Sequence, residues 1–266
     1  MRRIEEAFQE AKQQNRAALI TYITAGYPNL EILPNLVRAL SEAGSDIIEI
    51  GIPFSDPLAD GPVLQRAATV ALNRGARVSK ILAAVEGFAA DAAPLVFLTY
   101  INPVFHYGVG RFAQDAVQAG IQGLIIPDLP WVEGRELRTA AEASRIAVIP
   151  LVAPTSTDAH LRAIGRARGF VYAVSLTGVT GVRKVVDAGV RPLVERIRHF
   201  TRLPIAVGFG IATPEQAHEV GEVADGVIVG SALVDVLTHN PGREEEAAFR
   251  FVHDLSQAVK NITTKA

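Results

Sequence analysis

A single carboxyl residue, Glu49, interrupts an apolar run that has the composition of a buried strand. The run Ile-Ile-Glu-Ile occupies positions 47–50, and a carboxylate buried there costs free energy unless it is protonated, paired or used in chemistry. The structural alternative is an ion pair with an Arg of a neighbouring strand. None of the other predicted strand cores contains Arg or Lys, so the pattern favours a group that transfers protons.

Two further carboxyl residues, Asp56 and Asp60, follow on the next loop. Eleven residues separate Glu49 from Asp60, which is enough for the loop to fold back over the same end of the sheet. Two carboxyl groups in different settings can divide acid–base work, since the buried one exchanges a proton and the wetter one stays ionised. An Asp before Gly61 and Pro62 is at least as well explained as a turn residue or helix cap.

Three glycine-bearing turns follow the last three predicted strands, at 177–181, at 208–210 and at the pair Gly230 and Ser231, which opens a short helical pattern. Glycine lets backbone N–H groups approach an anion, and a helix N-terminus adds favourable partial charge, so these turns predict a phosphate site. The alternative is that glycine serves only loop geometry. The 208–210 turn lacks the third glycine of a dinucleotide-binding turn.

Residues that other mechanisms require are missing or scattered. The chain has no cysteine, and its five lysines lie outside the predicted strands and their ends, apart from Lys184 farther along a loop. Nucleophilic catalysis by a thiolate or a Schiff-base lysine is therefore disfavoured. The six histidines are spread mostly over helical patterns, so no metal centre is predicted. Acid–base catalysis by carboxyl groups on a phosphorylated small molecule is the remaining chemistry.

Eight short apolar runs alternate with amphipathic stretches. Predicted strands span 18–24, 46–50, 95–100, 123–126, 147–151, 169–175, 204–207 and 226–229; predicted helices span 30–43, 63–74, 80–90, 111–119, 133–143, 158–167, 193–200 and 214–220. This alternation indicates parallel pairing through right-handed crossovers. It predicts an α/β fold, a single-domain (β/α)8 TIM barrel over residues 1–266, with extra helices at 4–14, from Ser231 and at 244–262. An open doubly wound sheet is the alternative.

Composition narrows the partners and the location. A formal charge of −2 argues against a nucleic-acid surface. The N-terminus mixes acids and bases without an apolar segment, so we predict no signal peptide. The uncharged stretch 92–110 contains Pro94, Asn102, Pro103 and His106. We therefore predict a short strand and a polar loop there rather than a membrane span. The expected location is the cytoplasm, or an organelle stroma if a transit peptide has been removed.

Apolar and aromatic side chains gather at the predicted strand ends: Tyr22, Phe54, Leu98, Tyr100, Ile125, Tyr172 and Phe209. Core packing is the ordinary explanation for each, but together they would suit a flat hydrophobic part of a substrate. The glycine-containing stretch 176–191 is long for a barrel loop, and it predicts a lid over that site.

The run IEIGIPFSDPLADG at 48–61 resembles the signature of the tryptophan synthase alpha chain family. Further matching segments are TAGYP at 24–28, YINP at 100–103, PDLP at 127–130, GVTG at 178–181 and VGFGI at 207–211, so the resemblance covers nearly the whole chain. It implies a (β/α)8-barrel lyase of tryptophan biosynthesis, which cleaves indole-3-glycerol phosphate to indole and glyceraldehyde 3-phosphate.

The resemblance also implies roles for single residues. Glu49 would be the general acid–base, and Asp60 would hold the indole N–H and stabilise positive charge on the ring. Thr180 would touch Asp60 when the lid closes. The implied phosphate and substrate contacts are Gly181, Gly210, Gly230, Ser231, Tyr22, Leu98, Ile125, Tyr172 and Phe209.

The implied partner is a beta chain that carries pyridoxal phosphate, in an α2β2 heterotetramer; this chain itself would need no cofactor. Asp56, Pro57, Asn102 and Pro103 would contact that partner. Two departures from the family pattern are Tyr22, where Phe is common, and Leu176, where Arg is common in the lid. The alternatives are a stand-alone indole-3-glycerol-phosphate lyase and a catalytically idle barrel that activates a beta chain. The intact carboxyl groups and phosphate turns count against the idle barrel.

Overall fold

The computed structural model describes residues 3–174, 189–208 and 210–260, whose strands form one parallel sheet. The strands are β1 (Ala18–Thr24), β2 (Ile47–Gly51), β3 (Leu95–Leu98), β4 (Ile121–Ile125), β5 (Ala147–Val148), β6 (Leu151–Val152), β7 (Val171–Val174), β8 (Ile205–Gly208) and β9 (Gly226–Val229). Their order in the sheet is β5-β4-β3-β2-β1-β9-β8-β7-β6. The first and last strands thus lie side by side in the middle of this order, and its two edge strands are neighbours in sequence.

The barrel closes between β5 and β6, which together make up the predicted fifth strand. β5 pairs with β4, and β6 pairs with β7. Between them, the Ile149 N–H donates to the Leu124 carbonyl at 2.8 Å, and the Pro150 carbonyl accepts from the Tyr172 N–H at 2.9 Å. Because Pro150 has no N–H to donate, the strand is interrupted there. The predicted (β/α)8 fold is confirmed, with its fifth strand in two pieces.

Helices alternate with the strands. They are α1 (Ile4–Gln13), α2 (Leu33–Ala43), α3 (Pro62–Asn73), α4 (Val78–Glu86), α5 (Ile101–Tyr107), α6 (Val109–Gln118), α7 (Arg135–Ala143), α8 (Asp158–Ala163), α9 (Arg191–Arg198), α10 (Pro214–Gly221), α11 (Ser231–His239) and α12 (Glu244–Lys260), with 3-10 turns at Ala89–Asp91 and Ile164–Arg166. The extra helices predicted from the sequence correspond to α1, α11 and α12.

The segment after β3 differs from the sequence prediction. The expectation of a polar loop is wrong, because the chain forms α5 there. Pro103 falls in the first turn, where its missing N–H has no helical partner to lose, and the Asp128 carboxylate accepts the Ile101 N–H at 2.9 Å. Asn102 and Pro103 therefore start a helix.

The helix α1 closes the amino-terminal end of the barrel. Its buried residues are Ile4, Ala7, Phe8 and Ala11, and they belong to the same apolar cluster as the inward-facing strand residues. The Phe8 and Phe170 ring centroids lie 5.5 Å apart, and a Cβ at Gly226 would lie only 3.0 Å from the Phe8 ring. This end of the interior is filled, so the loops at the carboxyl-terminal ends of the strands surround the other end.

Alternation along the strands decides which side chains face the interior. In β2, Ile47 packs in the interior cluster, whereas Ile48 and Ile50 pack in the outer cluster beneath the helices. A period of two therefore turns Glu49 inward. Its register partner on β1 is Tyr22, which faces inward by the same alternation.

Asp46 fixes the start of β1 at the closed end of the barrel. Its carboxylate accepts the Leu19 N–H at 2.9 Å and pairs with Arg16 at 2.5 Å. The two side chains of this ion pair are only 9% and 4% exposed. The pair is therefore shielded from solvent, and its loss leaves a buried charge behind.

We expect Asp46→Ala to lower the free energy of unfolding by about 3 kcal/mol, because Arg16 stays buried without its carboxylate. Asp158→Ala is the control: Asp158 pairs with Arg196 at the surface, where water screens the interaction, so its unfolding midpoint should stay near that of wild type. Urea denaturation followed by circular dichroism measures both variants. Equal losses of stability would contradict the special role of Asp46.

Candidate active site

The Glu49 side chain is enclosed in the barrel. It is 1% exposed, and neither carboxyl oxygen has a hydrogen-bond partner among the described residues. Burial raises the pKa of Glu49 to about 8, because an apolar environment disfavours the charged form. The group is therefore mostly neutral at pH 7 and holds a proton that it can donate. Within the described ranges no Arg pairs with it, so the structural alternative is not observed.

Asp60 lies at the end of the loop after β2 and is partly buried. Burial raises the pKa of Asp60 to about 6, while interaction with the Tyr100 hydroxyl lowers it. Most Asp60 side chains are thus ionised at pH 7. The alternative role as a helix cap does not hold, because Gly61 is the N-cap of α3 and no side chain caps that helix.

Two tyrosines share the open end of the barrel with these carboxyl groups. Tyr22 of β1 has its hydroxyl 3.2 Å from Thr24 Oγ1, and Tyr172 lies on β7. Burial raises the pKa of both phenols, and repulsion from Asp60 and from the ionised form of Glu49 raises it further. Both phenols therefore stay neutral. Since both carboxyl groups act on each phenol, the four groups lie close enough to interact.

The two tyrosines pack over glycines of the neighbouring strands. A Cβ at Gly51 would overlap the Tyr22 hydroxyl, and a Cβ at Gly208 would lie 2.6 Å from the Tyr172 hydroxyl. Close approach of an aromatic side chain is thus the reason for glycine at both positions. For Gly208 this matches the geometric alternative considered for the glycine turns.

The apolar residues predicted to line the site also face the interior. Leu98 of β3 and Ile125 of β4 pair in register, and both pack with the interior cluster, as Tyr172 does. Ile125 is fully buried, whereas Leu98 is partly exposed. The structure therefore turns Leu98, Ile125 and Tyr172 into the barrel interior, and Tyr22 packs with Leu98.

Two of the predicted phosphate turns follow the neighbouring strands β8 and β9. Gly230 is the N-cap of α11, no side chain caps that helix, and Ser231 at its first position is exposed. Gly210 has a φ of 74°, in the left-handed region that favours glycine. An uncapped helix N-terminus beside such a turn can present backbone N–H groups to an anion.

Some sequence-predicted residues cannot be placed. Thr180, Gly181 and Phe209 lie outside the described residues, and so do Leu176 and most of the predicted lid at 176–191.

The residues predicted to contact a partner lie on two adjacent segments, the loop after β2 and the first turn of α5. Asp56 and Asn102 are exposed, and Pro57 and Pro103 are partly exposed. The structure adds three large exposed apolar side chains that the sequence analysis did not single out, 92% exposed at Leu58, 53% at Phe105 and 68% at Val132. They follow β2, β3 and β4 in turn, and we call these three residues the apolar rim. Sequence pattern could not find them, because an apolar residue in a loop does not show its exposure.

A separate cavity of about 200 Å³ lies between the loop after β4 and the fifth strand. Its lining residues are Ile126, Pro127, Asp128, Leu129, Pro130, Trp131, Gly134, Arg138, Val148, Ile149, Pro150, Leu151 and His160. Its main polar groups are already engaged: Arg138 donates to the Trp131 carbonyl and stacks on its ring, and His160 Nε2 lies 3.0 Å from the Leu151 carbonyl.

In the part of the chain that the structure describes, no group of three or more His, Asp or Glu side chains is placed to hold a metal ion. Among the same residues, none of the helices has both the length and the apolar composition needed to cross a bilayer.

A parallel α/β barrel with a neutral and an ionised carboxyl group at its open end defines the class of barrel enzymes that work by proton transfer. Comparison with known proteins then gives the family. The family model described as tryptophan synthase alpha chain matches residues 8–264. The chain belongs to the tryptophan synthase alpha chain family, and it is a lyase of tryptophan biosynthesis.

Relatives and solved structures agree over nearly the full length. The chain is 45% identical to the tryptophan synthase alpha chain of Thermoanaerobacter sp. (strain X514), over 97% of this chain and 100% of that protein. It is 46% identical to that of Rippkaea orientalis, over 98% and 99%. The alpha subunit structure from Legionella pneumophila superposes with a TM-score of 0.91 at 34% identity, over 98% of this chain and 100% of that one. Tryptophan synthase from M. tuberculosis in its aminoacrylate-bound form gives 0.87 at 40% identity, over 97% and 100%.

The raised pKa of Glu49 predicts a pH-dependent cost to folding. Between its ordinary value of 4.5 and its folded value of about 8, the unfolded carboxyl group releases its proton while the folded one keeps it, so wild type loses stability as pH rises. Gln does not titrate. We expect the unfolding free energy of Glu49→Gln to gain about 3 kcal/mol relative to wild type from pH 5 to pH 8. Denaturation at both pH values measures this, and a constant difference between the two proteins would refute the raised pKa.

Proposed function

We propose that the chain cleaves indole-3-glycerol phosphate to indole and glyceraldehyde 3-phosphate, with Glu49 as proton carrier and Asp60 as electrostatic stabiliser. The observation that carries this proposal is the inward-facing Glu49, which has no hydrogen-bond partner among the described residues and a pKa of about 8. A neutral carboxylic acid in an apolar space is suited to protonate a weakly basic ring carbon. Membership of the family supports the choice of substrate.

In the proposed reaction Glu49 gives one proton and takes another. The neutral Glu49 carboxyl group donates its proton to C3 of the indole ring, and positive charge develops on the ring. The Asp60 carboxylate, ionised because its pKa is about 6, accepts a hydrogen bond from the ring N–H and stabilises that charge. The Glu49 carboxylate then takes the proton of the adjacent glycerol hydroxyl. The bond between C3 and the carbon that carries this hydroxyl breaks. Its electron pair returns to the ring, and the carbon becomes the aldehyde carbon of the second product.

The remaining predicted residues would bind the two ends of the substrate. Tyr22, Leu98, Ile125, Tyr172 and Phe209 would enclose the indole ring. The backbone N–H groups near Gly181, Gly210 and Gly230 and the Ser231 hydroxyl would hold the phosphate, supported by the uncapped N-terminus of α11. Thr180 would contact Asp60 when the lid closes over the site.

We also propose that the chain works with a beta chain in an α2β2 assembly. The contacts expected at Asp56, Pro57, Asn102 and Pro103 adjoin the apolar rim, and exposed apolar side chains grouped at one end of a barrel are typical of a surface that a partner covers. The chain's own reaction would need no cofactor, and pyridoxal phosphate would belong to the beta chain. We keep the cytoplasm as the proposed location.

We expect Glu49→Gln to lower kcat about a thousandfold, because the amide cannot carry the proton, while a non-cleavable phosphorylated indole analogue still binds. Glu219→Gln is the matched control, since Glu219 also has a buried carboxyl oxygen without a partner among the described residues but lies on α10. Indole release measures turnover. Near-normal turnover by Glu49→Gln would remove Glu49 as the proton carrier.

The same assay on wild type, run with and without a beta chain, decides between the proposed function and its alternatives. Turnover that rises strongly with the beta chain supports the alpha-subunit function. Full turnover by the isolated chain would favour a stand-alone lyase, and no turnover under either condition would indicate an idle barrel.

We expect Gly210→Asp to raise KM at least about tenfold, since a carboxylate in the phosphate turn repels the substrate's phosphate. Gly242→Asp is its control: Gly242 has a similar φ of 79° but lies between α11 and α12, so the backbone strain is matched without the repulsion. Initial rates over a range of substrate concentrations give KM for both. Equal KM values in the two variants would exclude Gly210 from the phosphate site.

A further inference from the structure

The Tyr100 side chain holds the loop that carries Asp60. Its hydroxyl accepts the Ala59 N–H at 3.0 Å, and the same hydroxyl interacts with the Asp60 carboxyl group. Its ring packs against Phe54 with the centroids 5.4 Å apart. Tyr100 itself is 3% exposed. One buried side chain thus contacts the loop after β2 through its ring at Phe54 and through its hydroxyl at Ala59, the residue before Asp60.

Tyr100 also belongs to the helix beneath the proposed partner surface. It is the N-cap of α5, and the next residue, Ile101, donates its N–H to Asp128 in the loop after β4. The two loops and the helix that carry the apolar rim are therefore linked: Tyr100 connects the loop of Leu58 to α5, and Asp128 connects α5 to the loop of Val132. A partner that covers the apolar rim would contact both loops and α5.

We propose that Tyr100 is a positioning residue that couples the proposed beta-chain surface to Asp60. The inference rests on the proposed function, because it assumes that a beta chain docks on the apolar rim and that Asp60 acts on the substrate. Tyr100 does not touch the reacting atoms in this proposal. It holds the Asp60 carboxylate in place, and a shift of α5 would shift that carboxylate through Tyr100.

The direction of the hydrogen bonds explains why a hydroxyl is needed. A phenol has one proton, and since the Tyr100 oxygen accepts from Ala59, that proton is available to Asp60. A donor stabilises the ionised carboxylate and lowers its pKa. Among the described residues, the titratable groups near Asp60 are Tyr22 of β1 and Tyr172 of β7, both neutral, and Glu49, which is mostly neutral at pH 7. The charge of Asp128 acts on Tyr100.

The test is Tyr100→Phe, which keeps the ring against Phe54 and removes only the hydroxyl. We expect three results: kcat with the beta chain falls about tenfold with little change in KM, the acid limb of kcat/KM moves up by roughly one pH unit, and the activation by the beta chain falls at least about threefold. The dissociation constant for the beta chain should stay within about twofold. A merely structural role would not move the acid limb.

Tyr107→Phe is the matched control. Tyr107 is on the same helix, but its hydroxyl donates to Asp115 at 2.6 Å, away from the loop of Asp60. This variant should keep the wild-type acid limb and activation. If Tyr100→Phe behaves like Tyr107→Phe in both readouts, the proposal is overturned. An unchanged activation also overturns it, even if the acid limb moves.

A measurement without turnover separates this proposal from the proposed function. The carboxyl carbon of Asp60, observed by ¹³C NMR through a pH titration, reports its pKa in wild type and in Tyr100→Phe. If wild type cleaves no substrate with the beta chain, the proposed function fails, while a higher Asp60 pKa in the variant still supports the Tyr100 contact. If substrate is cleaved but the Asp60 pKa is the same in both proteins, the role of Tyr100 fails alone.

Discussion

The structure is organised around one unfavourable interaction, the burial of the Glu49 carboxyl group in an apolar barrel without a hydrogen-bond partner among the described residues. A buried polar group without a partner costs on the order of 1–3 kcal/mol, so the rest of the fold must supply stability that Glu49 does not. The closed strand order and the packing of α1 against the interior cluster provide it. They also keep water from the amino-terminal end of the barrel. The same enclosure that costs free energy keeps the group protonated at neutral pH.

Asp60, the other carboxyl group at the open end of the barrel, is mostly ionised at pH 7, whereas Glu49 is mostly neutral. The difference has a physical cause. Glu49 stands in the middle of a strand, where only burial acts on its pKa. Asp60 stands at the end of a loop, where burial is partial and the Tyr100 hydroxyl favours the charged form. The two groups thus straddle neutral pH, one as an acid and the other as a fixed charge. Position on the strand or on the loop, more than residue type, sets this division.

Sequence predicted the parts of the fold that depend on local pattern. β1 and β9 have the predicted bounds, because their apolar runs end at clear turn residues. The predicted secondary structure was less accurate where a proline changes the local pattern. Pro150 divides a strand, and Pro103 lies in the first turn of a helix where a loop was predicted. The apolar rim could not be predicted, since the exposure of Leu58 depends on how two loops and α5 meet. Nor could the contact of Tyr100 with the loop of Asp60, which joins positions 41 residues apart.

The two carboxyl groups differ in how a partner could affect them. Glu49 is held by strand pairing on both sides and is shielded from the surface, so a protein that docks outside changes its surroundings little. Asp60 follows Leu58, which is 92% exposed, by only two residues. Covering that side chain is favourable by roughly 1.5–3 kcal/mol at full burial, and any shift of the loop this causes reaches Asp60 through Ala59 and Tyr100. The proposed proton carrier therefore lies in the strand-paired part of the barrel, while the proposed assisting charge lies where the proposed association would reach it.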